Sequence, residues 1–427
     1  MRDKNIADRP PDFSEAPIVG TMESTAVLDF DRALWEQRLE ELSAHFRRYE
    51  QVQQARVQLY AGAENTYLVN SEGTRLRTAD RAALLMVSVR VQADDGMYIT
   101  GNRTCAGETA ADLPPVADLL RDADALVAEL LAIRQAEPIE YYSGPVLLDG
   151  LAAAQMFEAL LASGVAGRPD PVGEQRRNLL GAGSLESKLG TRILPKSFAV
   201  WDDPTIRQQD GQFLLGSYQY DDEGVPAQRV DLVVNGTLQD MCRSRAPIKK
   251  LSGSNGHGRR APGAAVPEAA IGCLFVRDEE GLPTDQLKAE LIAAARDAGL
   301  DYGVRVTALR TTGVSSSRAD LMSAVRRAQR GGSLLPDPVI AYKVYVADGR
   351  EEPLRGCEFA PVQVTVLRQI VAAGTTPVVY NHIGLGAAGA APPATIVAPP
   401  VLFEELELVK IREEHDQPPL LPPPAWR

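Results

Sequence analysis

Residues Phe213–Arg260 read FLLGSYQYDDEGVPAQRVDLVVNGTLQDMCRSRAPIKKLSGSNGHGRR, and the order of patterns within them decides the fold. Leu214, Leu215, Tyr218 and Tyr220 suit a half-buried strand. Asp221-Asp222-Glu223-Gly224 interrupts it with turn residues. Val230–Val234 is β-branched and apolar, and Asn235-Gly236 supplies the positive φ values that a tight hairpin needs. A Gly-rich loop, Ser254–Arg259, closes the stretch. Strand, acidic turn, strand, Asn-Gly turn and strand together predict antiparallel β structure.

The same stretch carries a resemblance. Asp221–Arg229, the apolar strand after it and Asn235-Gly236 resemble the signature of the TldD/PmbA family, the modulator-of-gyrase metalloproteases and their metal-free homologues. Four further segments fit in the family's order, and together they span about two thirds of the chain. Gly144–Asp149 with Ala152–Ala154 resembles the strand and helix leading to the family's metal site. Leu194-Pro195 before Val200–Pro204 resembles the next strand. Ser254–Arg259 falls at its Gly-rich loop, and Ile396–Pro399 with Leu402–Glu407 at its closing strand.

Length and composition set limits. A chain of 427 residues is too long for one ordinary core, so two domains are expected. A net charge of −12 argues against binding duplex DNA, which needs cationic surface to displace counterions. No apolar run approaches membrane-spanning length. The charged, Pro-rich start lacks the apolar segment of a secretory signal, although a leader removed upstream would leave no trace. Cys105, Cys242, Cys273 and Cys357 form no CxxC pair and fit reduced, mostly buried thiols, with a cytoplasmic location.

Along the chain, residues 1–28 read as a flexible start and 29–138 as an N-terminal domain. Asp31 can cap a helix in which Leu34, Trp35, Leu39, Leu42 and Phe46 recur at helical spacing. Three β-rich runs follow, Ala55–Tyr60, Thr66–Asn70 and Leu84–Ala93, then a helix over Val116–Arg134. This part also resembles the family's N-terminal domain, shortened at its start. Residues 139–410 read as the larger domain. It begins with a strand over 145–148, a helix over 151–162 and a long polar, Gly-rich loop through about Leu189. Thr284 can cap a helix over Asp285–Ala298. Tyr302–Leu309, Val339–Val346, Val378–Tyr380 and Ile396–Leu408 read as strands, and Val362–Ala373 is open between helix and strand. Residues 411–427 form a Pro-rich tail. The fold class expected is α+β: helices on a mixed sheet, followed by a larger, mainly antiparallel β domain.

The resemblance makes metal chemistry testable by eye. The family's proteases bind zinc through a helical His-Glu-x-x-x-His motif and a later Cys. Zinc needs several deprotonated ligands with one position open for water, and a nearby carboxylate to activate that water. The motif should fall on Glu158–Ser163, where Glu158 and Ser163 replace both histidines and Ala159 replaces the base. The loop that should offer the Cys, Asn381–Gly389, has no thiol. The chain therefore looks like the metal-free PmbA/TldE branch. Gly384–Gly389 matches GxGxxG, but Pro392-Pro393 blocks the helix that a dinucleotide site requires.

Other candidates carry plainer alternatives. Asp221, Asp222 and Glu223 suit a cation, a substrate amine or simply a solvated turn. Arg229 suits a peptide carboxylate or a structural ion pair. Asn255, His257 and Arg259 sit where glycines let backbone approach a ligand, and His257 is read as a hydrogen-bonding residue. Arg318, Arg326, Arg327 and Arg330 form a basic cluster suited to solvent or an acidic partner, and Ser315–Ser317 lacks the neighbours of a nucleophile. As the resemblance implies, the chain is expected to be a non-catalytic subunit of a two-subunit metalloprotease acting on unfolded peptides. Those seven residues, Asp221 to Arg259, are its substrate-chamber candidates. It would have no catalytic residue, no metal and no cofactor of its own, with zinc in a TldD-type partner. Nucleic acid and membrane are not expected partners, and self-association is left open. Two other readings stand beside it: a metallopeptidase with a non-standard ligand set, and a homomeric peptide-binding protein.

Overall fold

The computed structural model describes residues 13–168, 184–249, 251–261, 263–310, 334–386 and 389–411. The start of the chain, most of the polar loop, Ser315–Ser317, the cluster of Arg318, Arg326, Arg327 and Arg330 and nearly all of the Pro-rich tail lie outside these residues.

The first layer is helices on a mixed sheet. Helix α1 spans Arg32–His45, and Asp31 caps it by accepting the Leu34 N–H. A hairpin follows, β1 Val52–Val69 and β2 Arg75–Gln92, and then β3 Tyr98–Gly107. Ala55–Tyr60 and Thr66–Asn70, expected as separate strands, merge into the single strand β1, except that Asn70 falls in the turn after it. The intervening Ala61–Asn65 pairs with Ala79–Ala83, so the partner strand holds a segment of weak β propensity extended. Strand β2 is central, with β1 along one side and Gly20–Met22 and β3 sharing the other. Its alternate residues Leu85, Val87, Val89 and Val91 pack under α1 and the helix α2, Val116–Gln135.

The second part, from residue 141 onward, holds two sheets of mainly antiparallel strands. Its first elements are β4 Tyr141–Leu148, helix α3 Leu151–Phe157, β5 Phe198–Asp202, β6 Val230–Val234, β7 Thr237–Leu238 and β8 Cys273–Asp278. Then come α4 Thr284–Asp297, β9 Tyr302–Leu309, β10 Pro338–Tyr345, β11 Glu351–Leu354 and β12 Cys357–Phe359. The chain ends with β13 Ile370–Ala373, β14 Val378–His382, β15 Ala394–Ala398 and β16 Val401–Lys410. One sheet runs β11-β10-β9-β4-β16-β12, with β13 also on β16; the other runs β7-β6-β5-β8-β15-β14. In each, one neighbouring pair is parallel (β4 with β9, β8 with β15) and the rest are antiparallel. The protein is thus α+β. Helix α3 lies in the core that the two sheets share, while α4 covers the far face of the first sheet through Leu287 and Leu291.

Several local expectations change. The Asn235-Gly236 hairpin forms, with φ of 49° and 71°. Leu214–Tyr220 is not a strand, because its N–H groups bond elsewhere: Leu215 to Asn381 Oδ1, Gly216 to Thr395 Oγ1, Tyr218 to Pro204 O. Helix α4 starts from Pro283, whose carbonyl accepts the first N–H groups, and Thr284 lies inside it. Val362–Ala373 divides into a 3₁₀ turn, Val364–Gln369, and β13. Pro399-Pro400 splits Ile396–Leu408 into β15 and β16. Leu385–Gly386 and Gly389–Ala390 pair antiparallel instead of opening a helix.

Candidate functional site

The segment after Asp149 holds the position to test. Ala152, Ala153, Ala154, Met156 and Phe157 are all fully buried, as a helix apolar on every side but one residue must be. Gln155, its one polar residue, is 5% exposed and accepts the Leu309 N–H at 2.7 Å through Oε1. The helix continues as a π turn over Glu158–Ala162, which swings Glu158 out of the core. There Glu158 Oε1 lies 3.5 Å from His382 Nε2, and His382 Nδ1 lies 2.9 Å from the Tyr380 hydroxyl. Tyr380 and His382 stack with centroids 5.2 Å apart.

The helix position and the late loop therefore do meet, although 224 residues separate them (382 minus 158). What they bring is one carboxylate and one imidazole. A catalytic zinc takes three protein ligands and an adjacent base. Ala159 holds the base position and Ser163 the second ligand position, so the residues present do not fit that ion.

Tyr380, Asn381 and His382 open onto a cleft of about 630 Å³. Gln155 and Arg310 line it on the same side. Its opposite wall is the sheet face that the helices leave free: Leu84, Met86, Ser88 and Arg90 of β2, with Thr100, Asn102 and Thr104 of β3. The alternation along β2 that buries Leu85, Val87 and Val89 under helices is what aims their neighbours into the cleft.

None of the seven residues singled out from the sequence lines this cleft. Six of them gather elsewhere, in a clamp between the acidic turn and the Gly-rich loop. Asp221 accepts the N–H groups of Glu223, Val225 and Gly258 at 2.8–3.0 Å. Asp222 accepts from Arg260 N, and Glu223 from Arg245 N. Asn255 accepts from Arg243 N and donates to Met241 O. His257 is buried against Asp202, and the Arg259 guanidinium lies 4.1 Å from the centroid of the Tyr218 ring. Arg229 stands apart, 2.8 Å from Asp231 and over the Trp201 ring. Glycine is required at the closest approach: Gly256 has φ +74°, and a Cβ there would meet Pro226 O at 2.2 Å.

The hairpin tip of the first layer docks on this clamp. The Arg245 guanidinium makes two bonds, 2.6 and 2.7 Å, to the Glu72 carboxylate. Burial pushes the Asp221 carboxyl up to about 6 and Glu223 up to about 7, against the pull of the N–H groups they accept. Between the unfolded and folded values the native chain binds more protons, so these groups lower stability as pH rises from about 4 to 7. Glu223→Gln keeps an acceptor for Arg245 N and removes one titration. Thermal melts from pH 5 to 8 should therefore show a flatter pH dependence for the variant; an unchanged slope refutes the assignment.

The sequence pointed to the clamp but not to Asp202, Gln155 or the sheet face of the cleft. Two adjacent acids closing an apolar strand before Pro204 were the available signal for Asp202.

A family model described as the PmbA/TldA metallopeptidase C-terminal domain matches residues 142–329. A metalloprotease of Methanothermobacter thermautotrophicus is 32% identical over 199 residues, 46% of this chain and 40% of its own length. A metalloprotease of Archaeoglobus fulgidus is 35% identical over 112 residues, 26% of this chain and 24% of its own. The matched segments thus span less than half of either relative. Among solved structures, a protein described as a modulator of DNA gyrase from Thermotoga maritima superposes with a TM-score of 0.62. It is 16% identical, covering 92% of this chain and 80% of that one. TldE of Thermococcus kodakarensis superposes at 0.59 and 15% identity, covering 94% and 81%. At these identities the structural likeness speaks to the fold alone.

Proposed function

Since the chain belongs to the TldD/PmbA family and is related to its metallopeptidases, we propose that it is the non-catalytic subunit of a TldD/TldE-type complex. In this role it completes the wall of a chamber for unfolded peptides, in the cytoplasm. The observation that carries the proposal is the meeting of Glu158 and His382 beside Ala159. The place where hydrolysis would be organised has an ion-pair geometry and no proton acceptor at the base position. The catalytic zinc, its water and the base belong to the partner. This chain's part is to hold peptide: the cleft offers polar side chains along β2 and β3, among them Ser88, Asn102 and Thr104, suited to backbone amides. The acidic turn and the Gly-rich loop brace that wall.

The test is hydrolysis of an unfolded protein by the chain alone, by a TldD-type protein alone and by the two together, with native mass of each mixture. Hydrolysis should require the mixture, and the mass should be that of a complex containing both chains. Turnover by the chain alone, abolished in His382→Ala, would overturn the proposal, as would a homo-oligomer that ignores the partner.

A further inference from the structure

Beneath the clamp lies a second set of donors, unconnected with the proposal above. Asp202, Cys242 and His257 are each completely buried, and one ligand atom from each lies within 4.8 Å of the others. Asp202 ends β5, Cys242 pairs with Ala166, and His257 sits in the Gly-rich loop.

The proton on His257 can be placed from its neighbours. Asn255 Oδ1 accepts the Arg243 N–H at 2.7 Å, and its Nδ2 donates to Met241 O at 2.8 Å, which fixes the amide's orientation. His257 Nδ1 then faces only acceptors, Asn255 O at 2.9 Å and Asn255 Oδ1 at 3.1 Å, so it carries hydrogen. Nε2 is left to face Asp202 Oδ1, 3.0 Å away. Two electron pairs at that separation in a dry interior repel unless something positive joins them. An imidazole that donates Nδ1–H to a backbone carbonyl and turns Nε2 toward a carboxylate is oriented as metal-bound histidines are. Cys242 supplies the third group. Its thiol is completely buried, and burial together with Asp202 pushes its pKa well above the ordinary range.

We propose that Asp202, Cys242 and His257 hold a divalent transition-metal ion, zinc by donor type, that pins the Gly-rich loop to the strands beneath it. Zinc bonds of about 2.0–2.3 Å set tetrahedral ligand atoms roughly 3.3–3.8 Å apart. That spacing is compatible with ligand atoms that all lie within 4.8 Å of one another, His257 Nε2 and Asp202 Oδ1 being 3.0 Å apart. Charge balances as well. One carboxylate, one thiolate, a neutral imidazole and a dication sum to zero, as does the metal-free set of a thiol with one proton shared by His257 and Asp202. Binding releases two protons to solvent: that of the Cys242 thiol as the metal–sulfur bond forms, and the one held between His257 and Asp202. Three protein donors leave one zinc position for a further ligand, and complete burial leaves no path for substrate, so the ion's role is structural.

The test is metal analysis of the full chain purified alone and without chelator, as wild type, Cys242→Ser and His382→Ala. Stoichiometric zinc is expected in the wild type and in His382→Ala, with loss in Cys242→Ser. Exchange with cobalt should give the wild type a thiolate-to-cobalt absorption band, which needs no variant that folds. A metal-free wild type whose melting temperature ignores added zinc and cobalt would overturn the proposal, leaving a proton between His257 and Asp202. So would zinc lost in His382→Ala but kept in Cys242→Ser, which would put the ion at Glu158.

Discussion

Replacing Phe157 by alanine should destabilise the folded chain by about 3–5 kcal/mol. The ring is completely buried at the end of α3, in the core that both sheets of the second part share. Whole domains are stable by only about 5–15 kcal/mol, so this loss is a large fraction of the total. The neighbours cannot collapse into the space, because α3 is held from both sides and its own residues there are already small: Ala152, Ala153 and Ala154. Urea denaturation should show a lower midpoint with an unchanged slope. Phe157→Leu, which leaves a smaller void, should lose less. Equal losses in the two variants would mean that the site relaxes freely, contrary to its packing.

Gly236→Ala is the second large effect, at about 3 kcal/mol. Its φ of +71° is unfavourable for any side chain, and a Cβ would stand 2.3 Å from Leu194 O and 2.4 Å from Pro195 O. Those carbonyls belong to the segment that leads into β5, so relief requires moving a backbone that the sheet fixes. Asn235→Gly, at the neighbouring position with φ +49°, meets no such conflict and serves as the comparison. Thermal melting of the two variants checks this: Gly236→Ala should fall well below wild type and Asn235→Gly should stay near it.

These two positions also mark what a sequence reveals. Asn235-Gly236 was legible because turn chemistry is local: two adjacent residues tolerant of positive φ fix the hairpin whatever surrounds them. Helix α2 was legible from the spacing of Leu119, Ala123, Leu126, Leu130 and Ile133, which follows from having one buried side. The Leu214–Tyr220 segment misled because its apolar residues are buried without a ladder. Asn381 and Thr395 take its N–H groups, and both arrive from the far end of the chain. The unity of β1 was hidden for the opposite reason: Ala61–Asn65 has no strand signature and is kept straight by its partner.

The candidate site divides in the same way. The replacement of both motif histidines and of the base could be read directly, since it depends on residue identity at fixed spacing. That Glu158 would find His382 could not, because β14 reaches the helix only through the order of strands in the second sheet. Nor could the wall facing them, which comes from a different layer altogether.

Glu72 and Arg245 end with a wider consequence. The β1–β2 hairpin runs out past the helices that cover its base, and its tip is gripped by two parallel guanidinium bonds beside the acidic turn. Peeling it away would strip a carboxylate from its cation and unseat the backbone amide that Glu223 receives from the same arginine. Opening the joint therefore breaks the side-chain and backbone contacts of one arginine together.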